Sequence, residues 1–379
     1  MQRMENGPRN FLIELVNTYG PTGFEAPVVK RWCNYLKPYA DEVYTDAYGN
    51  GFAVLNPAGD PTVLLTGHAD EIGLMITHID DNGFLWVGSL GGYDAKLLPA
   101  LRVKVLARGG ALPGVIGAMP PHMQHPEAGD KELKRYKFGE NVYIDIGAKN
   151  KAEAEKHVRV GDCAVLDYGF MELSGELACG RGLDNKIGIW AAAEGLRRCA
   201  GRADILSAKA GHGQDARASG KLAARVVAVA TVQEEIGGYG ARMSSFRIEP
   251  HVAVAVDVTQ SVDHPGTDKK KWGEQKLGAG PVLAHGSACH PEVVSRLTRL
   301  AKRLRVDLQH EASPNHTGTD ADSIYTTRAG IPTAVVGLPQ RYMHSPVETI
   351  HLGDLENVAR LLAAFCQELK PGERFAVKV

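Results

Sequence analysis

Apolar residues recur at helical spacing across 10–19 and again across 26–36, and Gly20-Pro21-Thr22-Gly23 supplies turn chemistry between them, so the chain is read as opening on two helices. Val54-Leu55 and Val63-Leu64-Leu65 read as strands around a turn at 57–61, and the second strand runs into Gly-His68-Ala-Asp70-Glu71. From 72 to 167 the texture changes. Residues 74–79 and 84–87 flank Asp80-Asp81-Asn82-Gly83, a hairpin signal, while 101–106 and 142–146 alternate as half-exposed strands do. Beyond this strand-rich insert an apolar helix is predicted at 185–198. Buried strands at 225–232, 252–258 and 333–338 then alternate with helices at 292–304 and 355–369. Such alternation predicts an α/β sandwich interrupted by a β module. Residues 207–221, rich in Ala, Gly, Lys and Ser without a hydrophobic period, read as a surface loop.

Composition narrows the function classes. With 379 residues, 44% hydrophobic and 23% charged, the chain is long enough for two domains of roughly 100 to 200 residues each. Lys and Arg total 43 against 44 for Asp and Glu, which leaves no broad basic field for nucleic acid or an anionic membrane, and neither partner is expected. Cys33, Cys163, Cys179, Cys199, Cys289 and Cys366 form no Cys-x-x-Cys pair, so neither a thiolate zinc knuckle nor a disulfide framework is indicated. The first ten residues are polar, and no apolar run approaches the ~18 residues of a membrane span. The expected location is cytoplasmic.

Glu234-Glu235, just past the strand predicted at 225–232, is the first chemical candidate, because one carboxylate could bind a metal while the other handles protons. Adjacent acids alone commonly mark a solvated loop. Here His68, Asp184, Glu235, Asp257 and His344 all fall just beyond predicted strands or in loops that follow them, where the crevice of an open α/β sheet gathers distant residues. A nitrogen and oxygen donor set without thiolate suits zinc, cobalt or manganese in a catalytic role. Three carboxylates and one bridging hydroxide would neutralise two divalent ions, which avoids an unpaired buried charge. Each residue also has a plainer reading: His68 and His344 as ordinary histidines, Asp184 as a helix N-cap, Asp257 as a turn cap. Asp70, two residues past His68, could share its face and hydrogen-bond its other ring nitrogen.

Together, Gly-His68-Ala-Asp70-Glu71-Ile-Gly, Gly-Arg-Gly-Leu-Asp184-Asn-Lys, Val-Gln-Glu234-Glu235-Ile-Gly, Val-Asp257-Val-Thr and Arg-Tyr-Met-His344-Ser-Pro-Val-Glu resemble metallopeptidase family forty-two, the tetrahedral and glutamyl aminopeptidases. The resemblance spans nearly the whole chain, in order. It implies a zinc-exopeptidase-like α/β/α sandwich over 1–72 and 168–379, interrupted at 73–167 by a small, PDZ-like β-barrel dimerisation domain. It further implies two divalent ions per subunit, zinc before cobalt or manganese: one held by His68, Asp184 and Asp257, the other by Asp184, Glu235 and His344, with Asp184 bridging. Glu234 would be the catalytic acid and base, and Asp70 the partner of His68. The implied substrates are short peptides with a free N-terminus, and the implied assembly is a homodimer-built oligomer, up to a tetrahedral dodecamer. The stretch 203–221, His316 and Gln340 depart from the usual family pattern, though none is a proposed ligand. The sequence also admits a two-metal deacylase or carboxypeptidase acting on N-acyl amino acids, or a catalytically silent oligomeric scaffold. The segments 260–280, with Lys269-Lys270-Lys271, and 316–322 are expected beside the substrate by the same resemblance. A lysine run is ordinarily a solvated face, but here it could favour acidic N-terminal residues.

Overall fold

The computed structural model describes residues 4–123, 136–201 and 222–377. The loop read at 207–221, and the whole stretch 203–221 that departs from the family pattern, lie outside the described residues. Helices Asn6–Asn17 and Ala26–Leu36 open the chain, followed by β1 (Glu42–Thr45), β2 (Gly51–Leu55) and β3 (Thr62–His68). The first helix starts four residues earlier than its periodicity predicts, because Pro8 falls in the first turn, where no intrahelical donor is lost.

Strands β4 (Gly73–Ile79), β5 (Leu85–Leu90), β6 (Arg102–Ala107), β7 (Gly110–Ile116), β8 (Tyr143–Asp145) and β9 (Cys163–Leu166) close into a barrel. Its order is β4-β5-β8-β7-β6-β9. The interior is a core of its own, built from Leu74, Ile76, Val87, Val103, Val105, Ile144 and Leu166. The chain then returns through β10 (Met171–Glu172), β11 (Leu177–Gly180) and the buried helix Leu183–Ala200. The remaining strands are β12 (Arg225–Thr231), β13 (Val252–Gln260), β14 (Val282–Gly286), β15 (Gln309–Ser313), β16 (Thr333–Gln340) and β17 (Glu348–His351). Among the described residues, eight strands form one sheet in the order β1-β2-β12-β3-β13-β16-β14-β15, whose four central members run parallel. The fold is therefore mixed α/β with a β insert, as the hydrophobic pattern predicts, and the insert is a closed barrel, as the family resemblance implies.

Alternation along the central strands splits the core by face. Val63 and Leu65 of β3, with Val226 and Ala228 of β12, pack beneath helices Leu183–Ala200 and Leu352–Glu368. Leu64, Val227 and Val229 pack on the other side with Ala241 and Ile248 of helix Tyr239–Ile248 and with Ile324. Both faces are covered, which is why these strands read as continuous apolar runs. Among the described residues, no helix is long and apolar enough to cross a membrane.

Small residues bring the central helix against β3. A β-carbon on Gly67 would stand 2.3 Å from the Gly188 carbonyl carbon and 2.5 Å from the Ile189 nitrogen, so only glycine fits. This contact sets the depth of the segment that carries Asp184. Gly67→Ala is expected to cost about 3 kcal/mol by overpacking, read as a lowered denaturant midpoint; a variant as stable as the parent would contradict the close approach.

Candidate metal centre

His68 closes β3, Asp257 lies in β13, Glu234 and Glu235 follow β12, and His344 follows β16. Parallel pairing aligns these strand ends, with His68 opposite Thr231 and Asp257 opposite Gly337. Gln233 and His344 both take left-handed backbone conformations, at φ 58°, uncommon for residues with side chains and typical of functional turns. The residues singled out from sequence therefore converge at one sheet edge.

Asp184 is the meeting point. Its Oδ1 lies 3.2 Å from His68 Nε2 and its Oδ2 lies 3.4 Å from His344 Nε2. Asp184 and Asn185 have non-helical backbone angles, so regular helix begins at Lys186. Asn185 supplies the cap: its Oδ1 accepts from the Gly188 amide at 2.9 Å, and its Nδ2 donates to the Val256 carbonyl at 2.8 Å. Asp184 is thus released from the N-cap role and faces the imidazoles.

One ligand atom from each of His68, Asp184 and Asp257 falls within a 4.8 Å cluster, and a second such cluster joins Asp184, Glu235 and His344. Asp257 Oδ1 lies 3.8 Å from His68 Nε2, and Glu235 Oε2 lies 3.5 Å from His344 Nε2. Glu234 belongs to neither cluster but reaches His68 Nε2 at 3.8 Å. The donor chemistry fits divalent cations, since all the donors are carboxylate oxygens or imidazole nitrogens. Buried Glu235 Oε1 has no hydrogen-bond partner among the described residues, an unmet acceptor that a cation would satisfy.

Asp70 does more than its spacing predicts. It lies against His68 Nδ1, through its backbone carbonyl at 3.1 Å and its Oδ1 at 3.3 Å. Its carboxylate also accepts from the amides of Glu234 and Glu235, each at 3.1 Å, and from the Thr22 hydroxyl at 2.9 Å. Glu25 adds a bond from the Gln233 amide at 3.1 Å. Glu348 holds the other side, where its Oε2 accepts from the Asp184 amide at 3.0 Å and its Oε1 from the His344 amide at 3.2 Å. Sequence reasoning assigned no role to Glu25 or Glu348. The only sequence signal for Glu348 is its place at the end of the His344 motif.

Burial dominates the electrostatics. It pushes Glu234 up to about 8 and, with the nearby Asp184 charge, lifts Glu235 well above the carboxylate range. Asp257 rises chiefly through burial too. Burial would also raise Asp184, but its bonds to His344 and His68 outweigh this and hold it low. For His68 burial opposes the charge, yet Asp184 and Asp70 keep the ring well above its ordinary value; His344 rises through its bond to Asp184.

A mixed α/β sheet whose parallel central strands gather acids and imidazoles at their carboxyl ends defines a class, the α/β proteins with a candidate metal centre at the strand ends. The family model of M42 glutamyl aminopeptidase matches residues 49–361. Lysyl aminopeptidase of Pyrococcus furiosus is 35% identical over 360 residues, spanning 94% of this chain and 96% of that protein. A TET aminopeptidase from a marine sediment archaeon of the Thaumarchaeota superposes with a TM-score of 0.85 at 30% identity, over 96% of both chains. The Pyrococcus horikoshii TET1 peptidase, which can assemble into a tetrahedron or a large octahedral shell, gives 0.80 at 31% identity over 96% of this chain and all of that one. The chain belongs to the M42 glutamyl aminopeptidase family and is a metal-dependent enzyme that hydrolyses peptides.

These charges give a pH test on chelator-treated protein. Glu25 is pushed up to about 7 and Glu234 to about 8, burial first in each case. Unfolded glutamate titrates near about 4.3, so above that value the folded chain keeps protons that the unfolded chain has lost. The raised histidines act in the same direction above their ordinary value. Thermal stability is therefore expected to fall as pH rises from about 5 to 8. A melting temperature that climbs across this window would contradict the assignment.

Proposed function

We propose that the centre holds two divalent ions, with zinc preferred, and removes N-terminal residues from short peptides with a free amino terminus. The observation that carries this reading is Asp184, whose two oxygens face different imidazoles in two separate donor clusters. His68, Asp184 and Asp257 would hold one ion, and Asp184, Glu235 and His344 the other. Such ions supply Lewis acidity at the scissile carbonyl and make bound water easier to deprotonate.

The chain's own contribution centres on Glu234. Its side chain is only 14% exposed, its amide is anchored by Asp70, and it lies outside both donor clusters. A carboxyl titrating near neutrality is suited to moving protons in both directions. Glu234 takes a proton from the attacking water and returns it to the leaving amine as the peptide C–N bond breaks. Asp70 positions Glu234 and Glu235 through their amides and holds His68 through Nδ1.

The barrel, taken as 73–167, is proposed as the dimerisation unit inserted between catalytic segments 1–72 and 168–379. A closed shell of such dimers, a tetrahedral dodecamer among the forms, is supported by the assemblies of the P. horikoshii relative. Lys269, Lys270 and Lys271 sit in the exposed short helix Lys269–Trp272, with Lys271 over the Trp272 ring, as a solvated face would. They lend no support to an acidic preference. The deacylase and scaffold readings are not favoured, because full-length relatives carry aminopeptidase names.

The test is release of N-terminal residues from a peptide panel after chelation and re-addition of zinc, cobalt or manganese. Glu234→Gln is expected to lower turnover by roughly 10²- to 10⁴-fold while leaving metal content unchanged. Near-parental turnover with metals bound would remove Glu234 from this role.

A further inference from the structure

The turn leaving β5, residues 90–93, belongs to the barrel by topology yet lies against the candidate metal centre. His344 Nδ1 stands 3.2 Å from the Gly92 carbonyl oxygen. A carbonyl can only accept, so Nδ1 carries the hydrogen and a neutral ring keeps its lone pair on Nε2. That Nε2 is the atom facing Asp184 and Glu235, at 3.4 and 3.5 Å. Gly91 faces Glu235: a β-carbon on Gly91 would stand 2.7 Å from Ile72 Cγ2, 3.2 Å from Glu235 Cβ and 3.4 Å from Oε2. Ser89 shapes the turn, its hydroxyl donating to the Gly91 carbonyl at 2.6 Å and accepting from the Tyr93 amide at 3.4 Å.

Gly92 thus bonds His344 and Gly91 lies beside Glu235, the members of the second donor cluster that the first does not share. His68 instead turns its Nδ1 to Asp70, at the end of the sheet. The geometry points to the barrel turn Leu90–Tyr93 as the positioning element of one ion site: the Gly92 carbonyl sets the tautomer and angle of His344, and Gly91 leaves room for Glu235. The inserted barrel is therefore part of the centre's construction. A shift of the barrel against the sheet changes ion affinity at one site and spares the other. This inference rests on the two-ion reading above.

Gly92→Ala isolates the effect. Gly92 holds a backbone conformation open to any residue, whereas an added β-carbon would stand 3.0 Å from His344 Nδ1 and 3.1 Å from Cε1, so the ring must move. Calorimetric titration of the chelator-stripped full chain with Zn(II) resolves the binding steps. In Gly92→Ala one step is expected to weaken by roughly 10- to 100-fold, the usual effect of losing a partner behind a ligating histidine, with the other step unchanged. Gly109→Ala, at a barrel glycine with open space around the added carbon, should leave both steps unchanged. A general structural defect would weaken both steps together; that result, or an unaltered titration, overturns the proposal. Should Gly92→Ala fail to fold, Ser89→Ala carries the test without added bulk. It should weaken the same single step, and an unaltered titration again overturns the proposal. A parent chain that takes up fewer than two ions would instead remove the two-ion reading, and this inference with it, before any variant is compared.

Discussion

A buried carboxylate, Asp184, held between two imidazoles governs how the carboxyl end of the sheet is built. Asp184 can occupy that position only because Asn185 takes over the helix cap, with Gly188 leaving room for the Asn185 side chain, Glu348 holds the Asp184 amide, and Gly67 lets the helix descend onto β3. Each device answers a separate cost of placing negative charge at the closed end of a sheet. Burial disfavours the ionised form, and opposing groups within a few ångströms restore it. The two histidines do this for Asp184, while Glu235 and Asp257 stay raised and Glu235 Oε1 has no hydrogen-bond partner among the described residues. The site is under-compensated in positive charge, which is the electrostatic signature of a place built for cations.

A second buried charge group lies directly behind the first. Glu71, next to Asp70, pairs with Arg181 and with Lys186 Nζ, the latter at 2.7 Å, and also accepts from the Gly20 amide at 2.9 Å. Burial pushes Lys186 down to about 8 although Glu71 opposes the shift. Because Arg181 and Lys186 flank Asp184 in sequence, the triad ties the Asp184 turn to the end of β3. Its worth lies in placement, since a buried ion triad is often no more stabilising than apolar packing of equal volume.

The legible parts of the sequence were those where burial imposes a period. Strands β3, β12, β13 and β16 are covered on both faces and read as apolar runs, so the acids and histidines at their ends stood out against them. The edge strand β15, Gln-His-Glu-Ala-Ser, and the barrel strand β7, with Pro113 between two glycines, carry no such run and were not foreseen. Helix Tyr239–Ile248 was missed as well, because Gly240, Ala241, Ser244 and Ser245 pack against the sheet in place of large apolar residues. In the site, ligand candidates were visible because their residue types are those that bind metals. Glu25, Glu348 and Gly92 were not, because each acts on backbone amides or through its own carbonyl, an interaction that exists only once the chain is folded.

Asp184 as the shared centre of two donor clusters is the claim from which the remaining assignments follow. Anomalous diffraction at the zinc edge, from crystals grown with zinc, tests it most directly. Two anomalous peaks per chain are expected, each within coordination distance of a different Asp184 oxygen, one beside His68 and Asp257 and the other beside Glu235 and His344. A single peak, or two peaks that leave Asp184 uncoordinated, would contradict it.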